Sequence, residues 1–335
     1  MERIYPEYYR KFHCIAGACP DTCCQEWDVE VDEESAEKYR ALPGELGELL
    51  RRNLYEEDGH TYLGFPEGKC PVQRSDGLCR LQAAYGETML CEVCGRFPRI
   101  SQDYGSFVEL GLEMSCPEAA RIILSEDPKL IVEELPGGEP GDYDEETMAV
   151  LRRTRPRMLE LLSDRSRAVP ERLAMMLLWG YQAQNELDGG ESADFDWEES
   201  MAAARQAAGE ADPRAVLDFF AELEILTDRW RALLERPVKA PCWFEGLCRF
   251  AAYGVLRYYE QAVCDYDLIG RVKLVLSGCI AGALLAEDDF ENQCAVMQLW
   301  SKEIENDIDN VEAIEEGAYS HPALTDRNLL GILLG

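Results

Sequence analysis

Residues 13–27 read HCIAGACPDTCCQEW, and the four cysteines in this stretch, Cys14, Cys19, Cys23 and Cys24, are separated by four, three and no residues. Cysteines a few residues apart let two thiolates reach one ion from a single turn of chain, and two such groups close a tetrahedral site. The partners follow: Cys70 and Cys79, then Cys91 and Cys94, and finally Cys116. No cysteine then occurs until Cys242. The N-terminal segment is also broken by turn-forming pieces, among them Asp58-Gly59, Phe65-Pro66-Glu67-Gly68 and Ser75-Asp76-Gly77. It is predicted to be an irregular Cys-rich metal-binding region with short helices and a hairpin around His60–Phe65. Its periodic apolar pattern is sparse, and a metal supplies stability that a small core lacks.

At Ser115 the character changes. Ser115-Cys116-Pro117-Glu118 sets a capping Ser three residues before Glu, with Pro in the first turn, ahead of the apolar run AARIIL. The Gly/Pro/acid stretch 134–146 marks a domain boundary, with residues 1–133 the metal domain and 145–335 a helical domain. Helical periodicity places helices over 145–164, 169–187, 195–209, 213–235, 243–264, 267–286 and 289–309, with a flexible connection at 186–199. The fold class is mainly α, the metal region packed on the helical domain, and no alternation of strands with helices suggests a doubly wound sheet.

A formal charge of −32 repels phosphate backbones, which argues against nucleic-acid binding and suits a protein partner that offers lysines. The N-terminus has no apolar core of the kind a signal peptide needs, and Leu274–Ala286 is too short to span a bilayer, so no membrane association is expected. The expected location is the cytoplasm, where thiols stay reduced and clustered cysteines bind metal or catalyse. Soft all-thiolate surroundings fit an iron–sulfur cluster, and zinc remains the alternative. The candidate ligands are Cys19, Cys23, Cys24, Cys70, Cys79, Cys91 and Cys94. Adjacent Cys23 and Cys24 cannot easily face one ion together. Cys14 and Cys116 stand open between ligand and buried thiol. Cys242, Cys248, Cys264, Cys279 and Cys294 lie at wide spacings on helical patterns and read as core. The three-cysteine radical-enzyme pattern is absent.

These motifs resemble those of the flagellin lysine-N-methylases, a family sharing its cysteine motif with a broader group of zinc- or iron-chelating proteins. The resemblance is carried by Tyr8-Tyr9-x2-Phe12-x-Cys14, Gly17-x-Cys19-x-Asp21-Thr22-Cys23-Cys24-x2-Trp27, Cys70-Pro71 and Gly77-Leu78-Cys79-Arg80. Leu90-Cys91-x2-Cys94-x-Arg96-Phe97-Pro98-Arg99, Ser115 to Ala120 and Trp300 to Glu305 complete it. It implies methyl transfer from S-adenosylmethionine to lysine side chains of flagellin, by a protein holding a [4Fe–4S] cluster.

A lysine ammonium has no lone pair and an ordinary pKa of about 10.4, so a methylase must remove a proton before transfer. Tyr8, Tyr9 and Glu26 are the candidate catalytic residues for that step. Trp27 offers a face to a cationic sulfonium, and Arg96 a partner for the donor's carboxylate or for cluster charge. Ser301, Glu303 and Glu305 read as a solvated helix face, the alternative being a face toward the cleft between the domains. The competing classes are a metal-binding or electron-transfer module and a zinc-stabilised protein-interaction domain, both without catalysis.

Overall fold

The periodicity after residue 145 is realised as helix in the computed structural model, which describes residues 1–192 and 195–335. Ala193 and Asp194, inside the 186–199 connection, lie outside the described residues. The protein is mainly helical. Met1–Phe12, Ser101–Ser115 and Ala119–Gly335 form one compact unit; His13–Ile100 and Cys116–Glu118 form the other. The 134–146 linker therefore falls inside the first unit. Helices Glu145–Ser163, Val169–Leu187 and Leu268–Leu285 coincide with the periodic spans to within a residue or two. Aspartates start many of them: Asp144, Asp196, Asp212, Asp267, Asp289 and Asp307 each accept a backbone N–H of the first turn. Part of the negative charge is thus helix-capping.

The expected 213–235 helix is two, Pro213–Glu222 and Asp228–Leu234. The break is held from outside. Leu226 N–H donates to Glu303 (2.8 Å), as does the Thr227 hydroxyl, and Thr227 caps the second helix. Likewise 289–309 divides into Phe290–Ile304 and Ile308–Ser320, and a further helix, Asp326–Leu334, lies beyond the predicted set.

Leu268–Leu285 is the axis of this unit. It packs on Val169–Leu187, Gly246–Tyr258, Phe290–Ile304 and Ile308–Ser320, and all its residues are buried. It is the one helix among the described residues long and apolar enough to cross a membrane. Its buried cations are paired: Lys273 with Asp326 at 2.8 Å, Arg271 with Asp265 at 2.8 Å. A Cβ at Gly278 would lie 2.8 Å from Trp300 and 3.0 Å from Phe250, two rings meeting edge-on. Gly278→Ala is therefore expected to destabilise by about 1–3 kcal/mol through overpacking, read as a lower urea midpoint at unchanged m. An unchanged midpoint would show that the aromatic pair gives way freely.

The irregular N-terminal expectation missed a four-stranded sheet, ordered Arg99–Asp103, Phe107–Leu112, Glu2–Pro6 and Leu130–Glu134. Glu2–Pro6 runs parallel to Phe107–Leu112 and antiparallel to Leu130–Glu134. The Cys-rich unit has its own three-stranded sheet, ordered Val29–Glu30, His60–Leu63, Leu54–Glu57. The expected hairpin turns at Asp58 and Gly59, with φ of 50° and 87°, the left-handed pair that a two-residue connection requires. Short helices do occur there: Glu33–Ala41, Gly44–Asn53, Arg80–Tyr85 and Glu92–Arg96.

Candidate metal centre

Asp32 organises the Cys-rich unit. One carboxylate oxygen caps the Glu33–Ala41 helix through Ser35 N–H (2.9 Å), and the other accepts Glu92 N–H (2.8 Å), fixing the turn that carries Cys91 and Cys94. Cys24 and Cys70 are joined through their main chains, the Cys70 N–H donating to the Cys24 carbonyl at 2.9 Å. Gln73 pairs with Cys79 in an isolated bridge, and its side-chain amide donates to Thr22 Oγ1 (3.2 Å), which also accepts Cys24 N–H. All nine N-terminal cysteines, Cys116 among them, fall in this one unit.

The thiols meet one another. Those of Cys23 and Cys70 donate to Cys24 sulfur, and the Cys94 thiol and the Tyr39 hydroxyl donate to Cys91 sulfur. Donors of this kind hold Cys24 and Cys91 below the ordinary thiol range, with Cys23 the largest influence on Cys24 and Cys94 on Cys91. The donors Cys23, Cys70 and Cys94 are pushed up by the same bonds and by burial. Among the described residues, no three Cys, His, Asp or Glu side chains already converge as a metal-holding group. The chemistry of the donor set nonetheless suits a soft thiolate-bound metal: Cys23 and Cys70 meet Cys24, Cys94 meets Cys91, and Ala16 and Gln82 N–H groups donate to the Cys14 and Cys79 sulfurs.

The predicted catalytic residues are divided between the two units. Tyr8 and Tyr9 belong to the helical unit, and Glu26 to the Cys-rich one. Tyr8 is buried, which raises its phenol well above the usual range, so it is no base near neutral pH. Glu26 is exposed at a φ of 77°, a left-handed conformation unusual for a residue with a side chain. Trp27 packs on the apolar cluster of the Cys-rich unit, beside Cys24 and Cys79. Arg96 is exposed and ion-paired with Glu92 one turn earlier. Among the scattered cysteines, Cys248 and Cys279 are core as expected, but Cys264 is exposed.

Ser301, Glu303 and Glu305 are not a solvated face; all three side chains are enclosed. Glu305 accepts from the Tyr253 (2.9 Å), Tyr258 (2.7 Å) and Ser301 hydroxyls, and Arg257 lies 3.6 Å away. Arg257 donates to Tyr253 oxygen (2.8 Å), and Ser115 Oγ donates to buried Glu113 (2.6 Å). Burial raises Glu113 above the usual carboxylate range, with Arg257 opposing it. Sequence reasoning missed this network; the i, i+4 spacings of Tyr253 to Arg257 and Ser301 to Glu305 were the available signal. Its Glu305 oxygens are already taken by three hydroxyls, which marks it as a hydrogen-bonding hub of the helical unit.

Over 129 residues, 36% of this chain and 76% of the relative, the chain is 31% identical to the flagellar biosynthetic protein FliU of Salmonella muenchen. The chain belongs to the FliU family. It is also 30% identical over 137 residues to the lysine-N-methylases of Salmonella typhimurium and Salmonella choleraesuis, across 38% of this chain. That alignment spans 34% of each methylase, about a third of its length. No family model matches this chain, and no solved structure does.

Proposed function

We propose that this chain transfers methyl groups from S-adenosylmethionine to lysine side chains of a protein, flagellin by the flagellar name of its relative. The lysine-N-methylase relatives carry that reading, and the nine thiols gathered in one unit support a metal centre within it. The centre is a [4Fe–4S] cluster held by Cys24, Cys70, Cys79 and Cys91 with Cys94 beside them; zinc is the alternative. A thiolate-bound cluster supplies structural closure and positive iron next to its sulfurs. The chain's own residues must then take the lysine proton and hold the amine in line with the methyl group. Glu26 is the acid–base candidate: its carboxylate stands exposed on a strained turn two residues from Cys24. Tyr8, held protonated by burial, serves packing. The reaction belongs in the cytoplasm, where these thiols stay reduced.

The test is anaerobic purification with metal analysis, then incubation with S-adenosylmethionine and flagellin. A brown protein carrying about four irons per chain and adding methyl groups to flagellin lysines is expected. Iron without any transfer would overturn the methylase reading and favour an electron-transfer module. Stoichiometric zinc without iron, and no transfer, would favour a zinc-stabilised interaction domain.

A further inference from the structure

Three tyrosines far apart in sequence stand exposed around the N-terminal end of Leu268–Leu285: Tyr181, Tyr266 and Tyr319, at 41%, 51% and 65%. Hydrogen bonds link the three in a closed ring. The Tyr181 hydroxyl donates to Asp326 at 2.8 Å, and Asp326 pairs with Lys273, also at 2.8 Å. The same ammonium donates to the carbonyl of Ala318, the residue before Tyr319, at 2.8 Å. The Tyr319 hydroxyl donates to Asp267, the residue after Tyr266. The Tyr266 carbonyl accepts from Gln184 at 2.9 Å, and Gln184 lies three residues after Tyr181 on the same face of Val169–Leu187. All of these residues belong to the helical unit.

The faces of these rings are uncovered. Elsewhere the chain lays its own guanidinium on an aromatic, as Arg167 does on Trp197 at 4.8 Å. Among the described residues no ring and no cation stacks on Tyr181, Tyr266 or Tyr319. Carboxylates pin the tips of Tyr181 and Tyr319, so both rings are held in place before anything binds. The charge around them is negative. Asp326 is matched by Lys273 and Asp265 by Arg271, and both cations are buried. Asp267 accepts only neutral donors, Gly270 N–H and the Tyr319 hydroxyl, and Asp188 accepts the Gln184 amide at 3.1 Å. Neither has an ion-pair partner among the described residues. An aromatic face is negative and attracts an ammonium group, and unmatched carboxylates beside it add to that attraction.

We infer that Tyr181, Tyr266 and Tyr319, with Asp188 and Asp267 beside them, form a docking surface that takes lysine ammonium groups, free or methylated, of a lysine-bearing segment of the protein partner. The choice of that partner rests on the methylase reading above. Methylation keeps the charge of the ammonium and removes its N–H donors. A surface of ring faces therefore holds the methylated segment as well as the unmethylated one.

The test titrates the full chain into a fluorescent peptide of alternating alanine and lysine, into its trimethyllysine form, and into a norleucine form that lacks side-chain charge. The two charged peptides are expected to bind, more weakly as salt rises, and the norleucine peptide not to bind. Y181L/Y319L, altered only at exposed rings, is expected to bind about tenfold more weakly, whereas Y181F/Y319F, which keeps the faces, should stay within about threefold of wild type. Tyr266→Asn suits the left-handed backbone at φ 65° and removes the third ring, so it should weaken binding about threefold by itself. Equal weakening in the Leu and Phe pairs, or a wild type that binds neither charged peptide, would overturn the docking surface. So would a wild type that is dimeric in sedimentation while Y181L/Y319L is monomeric, which would assign the face to a second copy of the chain. Peptide binding lost with the rings, but no methyl transfer in the assay above, would overturn the methylase reading and leave the docking surface standing.

Discussion

Arg155→Met is expected to destabilise the helical unit by about 3–5 kcal/mol at pH 8, the usual cost of removing one partner from a buried ion pair. Arg155, on Glu145–Ser163, holds Glu109 of the sheet through two parallel bonds of 2.9 and 2.7 Å. Its Nη2 also lies 2.9 Å from Glu260 Oε1. The contact to Glu260 is ionic but poorly aligned, since neither Glu260 oxygen has a well-formed hydrogen bond among the described residues. The three side chains are 6%, 9% and 1% exposed. Without the guanidinium, two carboxylates face each other away from water.

The pH dependence has a definite sign. Burial lifts the Glu260 carboxyl to about 7, with Arg155 opposing and Glu109 adding to the rise. A carboxyl raised on folding contributes stability below its unfolded pKa, and that contribution is lost as pH climbs through the folded value. Wild type should therefore lose stability between about 4.5 and about 7 from this group. The variant lacks the opposing cation, so its Glu260 carboxyl rises further and the loss continues to higher pH. The difference between variant and wild type should be smaller at pH 5 than at pH 8 in urea titrations. Equal destabilisation at both pH values would show that Arg155 acts by packing alone. Adding Glu109→Gln and Glu260→Gln to Arg155→Met should recover much of the loss, because no buried charge then lacks its partner.

The Arg155 cluster joins three elements far apart in sequence, and no local signal announces it. What was legible in the sequence is what is local: 3.6-residue periodicity located Val169–Leu187 and Leu268–Leu285, and aspartates before apolar runs marked helix starts. What was not legible is what distant pairing decides. Glu2–Pro6 is five residues long, and its strand partners start at Phe107 and Leu130. Once it is paired there, Tyr8 and Tyr9 follow it into the helical unit, although the sequence runs them straight into Cys14. Contiguity runs tyrosines and thiols together; the unit boundary falls between them, at Phe12 and His13. Acidic Glu303 and Glu305 looked solvated because carboxylates usually are. Hydroxyl donors at Thr227, Ser301, Tyr253 and Tyr258 make their burial affordable, and only the fold reveals those donors. In the Cys-rich unit, spacing identified which residues gather but not which sulfurs meet: Cys24 is met by its neighbour Cys23 and by Cys70, 46 residues on.

Removing the proposed metal is expected to unfold the Cys-rich unit and leave the helical unit intact. Residues 13–100 enclose a small core, chiefly Val29, Val31, Tyr39, Leu42, Leu50, Leu63, Phe65, Val72 and Leu81. Their sheet includes a strand only two residues long. A segment of this size gains little net stability from apolar burial once chain entropy is counted. Thiolate binding of a structural metal contributes about 10–16 kcal/mol in small zinc domains, more than the whole margin of a typical fold. The helical unit carries its own core around Leu268–Leu285 and contains none of the nine thiols. Hydrogen exchange before and after chelation should therefore show protection lost at residues 29–31, 54–63 and 80–96, with the amides of Leu268–Leu285 unchanged. Protection kept at both places would mean that the thiols close the N-terminal unit without metal. Loss at both would mean that the two units fold as one cooperative body, in which the thiol cluster of one sets the stability of the other's core.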